Sequence, residues 1–154
     1  MARITCRTPS TRPLIVAQAS VGTNFTTIAE APDFSVPDTQ QIYPARDPLD
    51  AGRGIRPGEI FFLTPVKARN KTASTAWIEA QVLREDASAV LLERIEVPAG
   101  DTVQIVTQGL SLLKRLPTAS DGDRLQVRAQ TADAFDVFGA GQERPSSEHI
   151  GVVE

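Results

Sequence analysis

Residues 75–97 read TAWIEAQVLREDASAVLLERIEV, and two folds compete for them. As a helix the stretch is rich in good helix formers, and Ile78, Val82 and Leu83 would share one face. As a hairpin it has the cleaner period. Ala76, Ile78, Ala80 and Val82 fall on one side, with Glu79 and Gln81 on the other, which is the alternation of a half-buried strand. Thr75, Trp77, Ile78, Val90 and Ile95 are types that suit a pleated surface. Glu85-Asp86-Ala87-Ser88 sits where the hairpin needs its turn. We read two strands, not one helix.

The pattern continues in both directions. Upstream, GEIFFLTPVKARN (58–70) reads as a strand, with Phe61 and Phe62 facing opposite ways and Pro65 marking an edge or bulge. NKTAST then makes a polar turn. Downstream, Pro98 and Gly100 suit the second and fourth positions of a tight turn. DTVQIVT is a strand with Val103 and Ile105 on one face, and GLSLLKRL reads as another, with a single helical turn as its rival. ASDGD is a second tight turn, in which Gly122 would supply a positive φ. RLQVRAQTA alternates, with Leu125, Val127 and Ala129 against Gln126, Arg128 and Gln130. AFDVFGAG points Phe135 and Val137 one way, and Gly139-Ala140-Gly141 reads as a flexible exit from the last strand. Strands spaced about 8–12 residues apart with turn signals between them indicate an all-β fold. The expected architecture is an antiparallel β-sandwich of jelly-roll or immunoglobulin-like type, with one wet face per sheet.

The first third of the chain has another texture. Seven of the eleven prolines lie there, at positions 9, 13, 32, 37, 44, 48 and 57, which rules out long helices. The expectation is an extended proline-rich N-terminal arm over 1–57, a sandwich domain over 58–140 and a C-terminal extension over 141–154. Apolar residues recur along the arm at Ile28, Phe34, Val36, Ile42, Tyr43 and Ile55, spaced as if to dock on a partner or on the domain's own flank. The candidate assembly contacts are Phe25, Phe34, Ile42, Tyr43 and Ile55 in the arm. Trp77 joins them if it faces outward, since aromatics are enriched at interfaces.

Catalytic chemistry has little to work with. A chain of 154 residues can bury a core without disulfide or metal. Aromatics are only 5% of it, so Val, Ile, Leu and Ala must fill that core. His149 is the one histidine, close to the C-terminus and poorly placed to serve as a fixed base. Cys6 is the one cysteine, so no disulfide can form within the chain, and one His with one Cys makes no zinc site. A calcium loop starting at Asp121 would need Glu at its twelfth position, where Ala132 stands. Gly139-Ala140-Gly141 lacks the third glycine of a nucleotide-binding loop. Net charge is −3, from 16 basic and 19 acidic residues, and no basic stripe suggests nucleic acid. Arg46, Arg53 and Arg56 are interspersed with Asp47 and Asp50. No apolar run approaches a membrane span, and Asn24 and Asn70 match the glycosylation acceptor only by chance. The expectation is a protein without catalytic residues, cofactor, metal or membrane contact.

The order of segments resembles small β-sandwich structural proteins of tailed bacteriophages. In those proteins a segment like Ile95-Glu96-Val97-Pro98-Ala99-Gly100-Asp101-Thr102 links the middle strands, and one like Gly122-Asp123-Arg124-Leu125-Gln126-Val127 opens the next. A string of small residues, here Ala129 to Ala134, leads to a last strand like Phe135-Asp136-Val137-Phe138. The resemblance covers about residues 58–140. It implies a non-enzymatic virion part, assembled in the host cytoplasm, whose partners are copies of itself and other virion proteins. A tail or baseplate adaptor held by its arm and sheet edges is the leading expectation. A capsid decoration protein on the phage head is the alternative. A carbohydrate- or ligand-binding β-sandwich module, from another class, would need aromatics exposed on a face or loop.

Overall fold

The computed structural model describes residues 12–18, 20–37, 53–114 and 122–145. These form eleven strands and, among the described residues, no helix. They are β1 (Arg12–Gln18), β2 (Thr26–Glu30), β3 (Asp33–Pro37), β4 (Arg53–Phe62), β5 (Val66–Asn70), β6 (Ala76–Leu83), β7 (Ala89–Val97), β8 (Thr102–Val106), β9 (Ser111–Leu113), β10 (Arg124–Ala129) and β11 (Phe135–Pro145). All pairings are antiparallel. A four-stranded sheet runs β2-β10-β6-β7. A seven-stranded sheet runs β3-β4-β11-β5-β8, with β1 on β11 and β9 on β4. The fold is the expected antiparallel sandwich.

The hairpin of residues 75–97 forms as read. Ala76 pairs with Val97 and Leu83 with Ala89, with a bulge opposite Ala80 and Gln81. Ala76, Ile78, Ala80 and Val82 enter the core, with Leu125, Val127 and Ala129 of β10 beside them. Phe62, Phe135, Ile60 and Leu112 supply its largest side chains from the seven-stranded sheet. The Ala-rich inner face of β6 lets these bulkier side chains fill the space between the layers.

Residues 12–37 depart from the expected arm. β1 pairs with β11, β2 with β10 and β3 with β4. Val16, Val21, Ala29 and Ala31 are core residues. Proline bars helices and central strands, but not strand ends or edges. Pro13 lies on edge strand β1, Pro32 falls between β2 and β3, and Pro37 ends β3. The remainder of the expected arm, including Ile42 and Tyr43, lies outside the described residues.

Three local readings change. GEIFFLTPVKARN is two strands, broken at Leu63-Thr64-Pro65. At that corner the Leu63 and Thr64 amides both donate to the Ala140 carbonyl at 3.1 Å, and the Ala140 amide donates to Thr64 Oγ1 at 2.9 Å. Gly139-Ala140-Gly141 is therefore the middle of β11, not an exit from it. A Cβ on Gly141 would stand 2.7 Å from the Phe61 carbonyl oxygen, so close backbone approach fixes glycine there. Gly122 likewise lies against the Ala31 backbone and does not take the positive φ expected of it. In the Val97–Asp101 turn the Asp101 amide donates to the Pro98 carbonyl, and Gly100 has φ +75°. Pro98 thus holds the first position and Gly100 the third, where positive φ is required.

Asn70, read from sequence only as a chance glycosylation match, is fully buried. Its Nδ2 donates to the Ser74 and Val97 carbonyls, both at 2.9 Å. Its Oδ1 accepts from the Thr72 amide at 2.8 Å and from the Thr72 hydroxyl at 2.7 Å. The side chain's two donors and two lone pairs are all used, tying the β5–β6 turn to the end of β7.

Candidate assembly surfaces

The two sheets finish their solvent faces differently. On the four-stranded sheet, polar side chains of adjacent strands form rows. Arg128, Glu79 and Arg94 stand directly opposite one another on β10, β6 and β7. Glu79 is only 4% exposed although it faces outward. Arg94 donates to its Oε2 at 2.7 Å, and Arg128 donates to its Oε1 at 2.9 Å. Burial by itself pushes the Glu79 carboxyl up. The hydrogen bonds from Arg94 and Arg128, with their charges, outweigh it and hold the pKa below the ordinary 4.5. The next row links Gln81 Nε2 to Gln126 Oε1 at 2.8 Å and Gln126 Nε2 to Thr27 Oγ1 at 3.1 Å.

The aromatics of this face lie under the same guanidinium groups. Arg94 Cζ sits 4.0 Å above the Trp77 ring centroid. Arg128 Cζ is 4.5 Å from the Phe25 centroid and 5.9 Å from that of Trp77. Two candidate contacts 52 positions apart in the chain, Phe25 and Trp77, are thus brought into one stack, and both are half-buried within it. Phe34 and Ile55 fall on the paired strands β3 and β4, one register step apart. Ile42 and Tyr43 are outside the described residues.

The solvent face of the seven-stranded sheet is apolar beside its β1 edge. Ile15 stands opposite Ala140, and Ala17 opposite Phe138, on the side away from buried Val16 and Val137. Ile15 is 80% exposed and Phe138 is 44% exposed. Leu63 is exposed at the β4–β5 corner, across β11 from β1, where its amide bonds to the Ala140 carbonyl. Sequence reasoning missed this strip because β1 was assigned to an arm. The available signal was the run Leu14 to Ala17 flanked by polar residues.

The second apolar edge is β7, the end strand of the four-stranded sheet. Ala89 to Arg94 are all exposed, and among them are Val90, Leu91 and Leu92. Among the described residues, no group of three or more His, Cys, Asp and Glu is placed to hold a metal ion, and no helix is long and apolar enough to cross a membrane.

No family model and no curated protein matches the chain. Among solved structures, it is similar to the CBM22-1–GH10 modules of endo-1,4-β-D-xylanase 10B from Clostridium thermocellum, complexed with xylohexaose. The identity is 10% and the TM-score 0.33, over 94% of this chain and 27% of that one. It is also similar to infectious bursal disease virus Gt strain, at 8% identity and a TM-score of 0.20, over 91% of this chain and 43% of that one. The chain thus spans less than half of either neighbour. At these scores neither likeness carries an argument about function.

Proposed function

We propose that this chain is a non-enzymatic structural component of a tailed-phage virion, a tail or baseplate adaptor that assembles through its sheet edges. The observation that carries the reading is the apolar strip of Ile15, Ala17 and Phe138 beside the β1 edge, which is open among the described residues. An exposed edge strand beside clustered apolar side chains suits contact with another protein. Its partners in this reading are other copies of itself and other virion proteins. The segment resemblance given above supports the choice of a phage particle.

The opposite face argues against a sugar platform. A ligand stacking on Trp77 or Phe25 would have to displace guanidinium groups already seated on both rings. Mass spectrometry and cryo-electron microscopy of purified particles test the proposal. The chain is expected at the tail or baseplate, with Ile15 and Phe138 against a neighbour. Density on the head lattice would make it a decoration protein instead, and absence from the particles would overturn the virion reading.

A further inference from the structure

Strand β1 is held less firmly than the chain that follows it. Among the described strands it pairs with β11 alone, in an unbroken register from Arg12↔Glu143 to Gln18↔Val137. Of its seven residues, Val16 is the one that is buried. The Arg12–Glu143 ion pair, at 2.9 Å, is exposed to solvent. Just beyond the strand the anchoring changes. Val21 is fully buried, its amide donates to the Phe135 carbonyl, and its carbonyl accepts from the Asp133 amide, both at 3.1 Å. The Gly22 carbonyl accepts from the Ala129 amide at 2.9 Å.

Ser20 stands at the junction. Its φ is +61°, a left-handed conformation that is unfavourable for a residue with a Cβ. Two side chains hold it there. The Ser20 amide donates to Asp136 Oδ1 at 3.3 Å, and Lys71 Nζ donates to the Ser20 hydroxyl at 3.4 Å. The same ammonium pairs with Asp136 Oδ1 at 3.0 Å. The Lys71 amide donates to the Ala134 carbonyl at 2.8 Å, which fixes the base of that side chain. An ammonium that is paired with a carboxylate and donates to the hydroxyl cannot act as its base, so the trio is a fastening, not a nucleophilic site. The fastening is partly in water, with the Asp136 side chain 42% exposed and that of Lys71 33% exposed.

We propose that β1 is a strap, with Ser20 as its hinge and the Asp136–Lys71 pair as its buckle, which opens from β11 as a unit while the rest of the sandwich stays folded. Segments with few buried apolar side chains and exposed hydrogen bonds open at a lower free energy than global unfolding. Release also lets Ser20 leave its strained conformation. Opening uncovers the ladder groups of β11 from Val137 to Glu143, which turns a central strand into an edge able to pair with another strand. The inference does not depend on the virion reading.

Native-state hydrogen exchange of the full chain tests the strap. Residues 12–18 should exchange through a separate opening, faster than β6 and β10. Two variants separate that opening from global unfolding. Ile78→Val trims one carbon from a fully buried residue and should speed the slowest amides of β6 and β10 about 5-fold, leaving residues 12–18 unchanged. Asp136→Asn loosens the buckle and should speed residues 12–18 about 5-fold. In a Cys6→Ser background, a disulfide joining Ile15→Cys to Ala140→Cys, which face each other across β1 and β11, should abolish the separate opening. Acceleration of residues 12–18 by Ile78→Val to the same extent as β6, or their indifference to Asp136→Asn, would overturn the inference. So would a separate opening that survives the disulfide. None of these outcomes bears on whether the chain is found in particles.

Discussion

The outer faces of the two sheets are built on the same pleat and completed in opposite ways. On the four-stranded sheet, Glu79, Arg94, Arg128, Gln81, Gln126 and Thr27 bond to one another, and two of them cover the aromatic rings. On the seven-stranded sheet, Ile15 and Phe138 stand in water. A face whose polar side chains bond to one another and shield its own rings has little to gain from a partner. A face that leaves large apolar side chains exposed gains free energy whenever something covers them. The contrast separates the part of the surface that maintains the fold from the part available for contact.

Substitutions test that division. Asn70 sets the upper scale, because it is buried with every side-chain bond made. Asn70→Ala should cost about 3 kcal/mol by leaving the Val97 carbonyl without its side-chain donor and the Ser74 carbonyl with only the Thr72 hydroxyl, measured by denaturant unfolding. Glu79→Gln should cost less, about 1–2 kcal/mol, since Arg94 is half-exposed and solvent compensates part of the loss. Trp77 is the only tryptophan, so its fluorescence should shift in that variant as Arg94 is released.

Acid should reproduce part of the Glu79→Gln effect. The folded-state pKa of Glu79 lies below the unfolded value, so its contribution is complete above about pH 4.5 and fades as pH falls through the folded-state value. Asp136 adds to the same trend. The Lys71 ammonium that hydrogen-bonds to it, helped by the Ser20 amide, holds it below the ordinary 3.8. Unfolding curves from pH 7 down to pH 3 should show this loss, with a shallower slope in Glu79→Gln. A slope unchanged by the substitution would remove Glu79 from the account.

Ile15→Thr should have the smallest effect on stability, within about 0.5 kcal/mol, because the side chain is almost fully in water. Its effect should appear instead as weaker self-association or incorporation into particles. A large loss of stability from Ile15→Thr would show that the strip belongs to the fold and would erase the contrast.

β6, β8 and β10 were legible because apolar and polar residues alternate along them and polar turn residues flank them. The first three strands were not. β2 and β3 are five residues each, too short to show a period against the prolines around them. The Glu79 network was illegible for a different reason. Its two arginines lie 15 and 49 residues away, and only the strand order brings the three together. The hint available in sequence was a charged or polar residue at the middle of each outward face. Gly141 was misread because its need is steric and comes from Phe61, a residue 80 positions earlier.

β11 pairs with β1, β4 and β5, so the seven-stranded layer is organised around the last of the described strands. Until it emerges, β1 and the β4–β5 corner have no common neighbour. The nascent chain must therefore carry the apolar faces of these strands unshielded until β11 has been made. Burial of these long-range contacts becomes a late, slow and concerted event. Chains truncated before Phe135 should accumulate as aggregates or chaperone clients, not as smaller folded proteins.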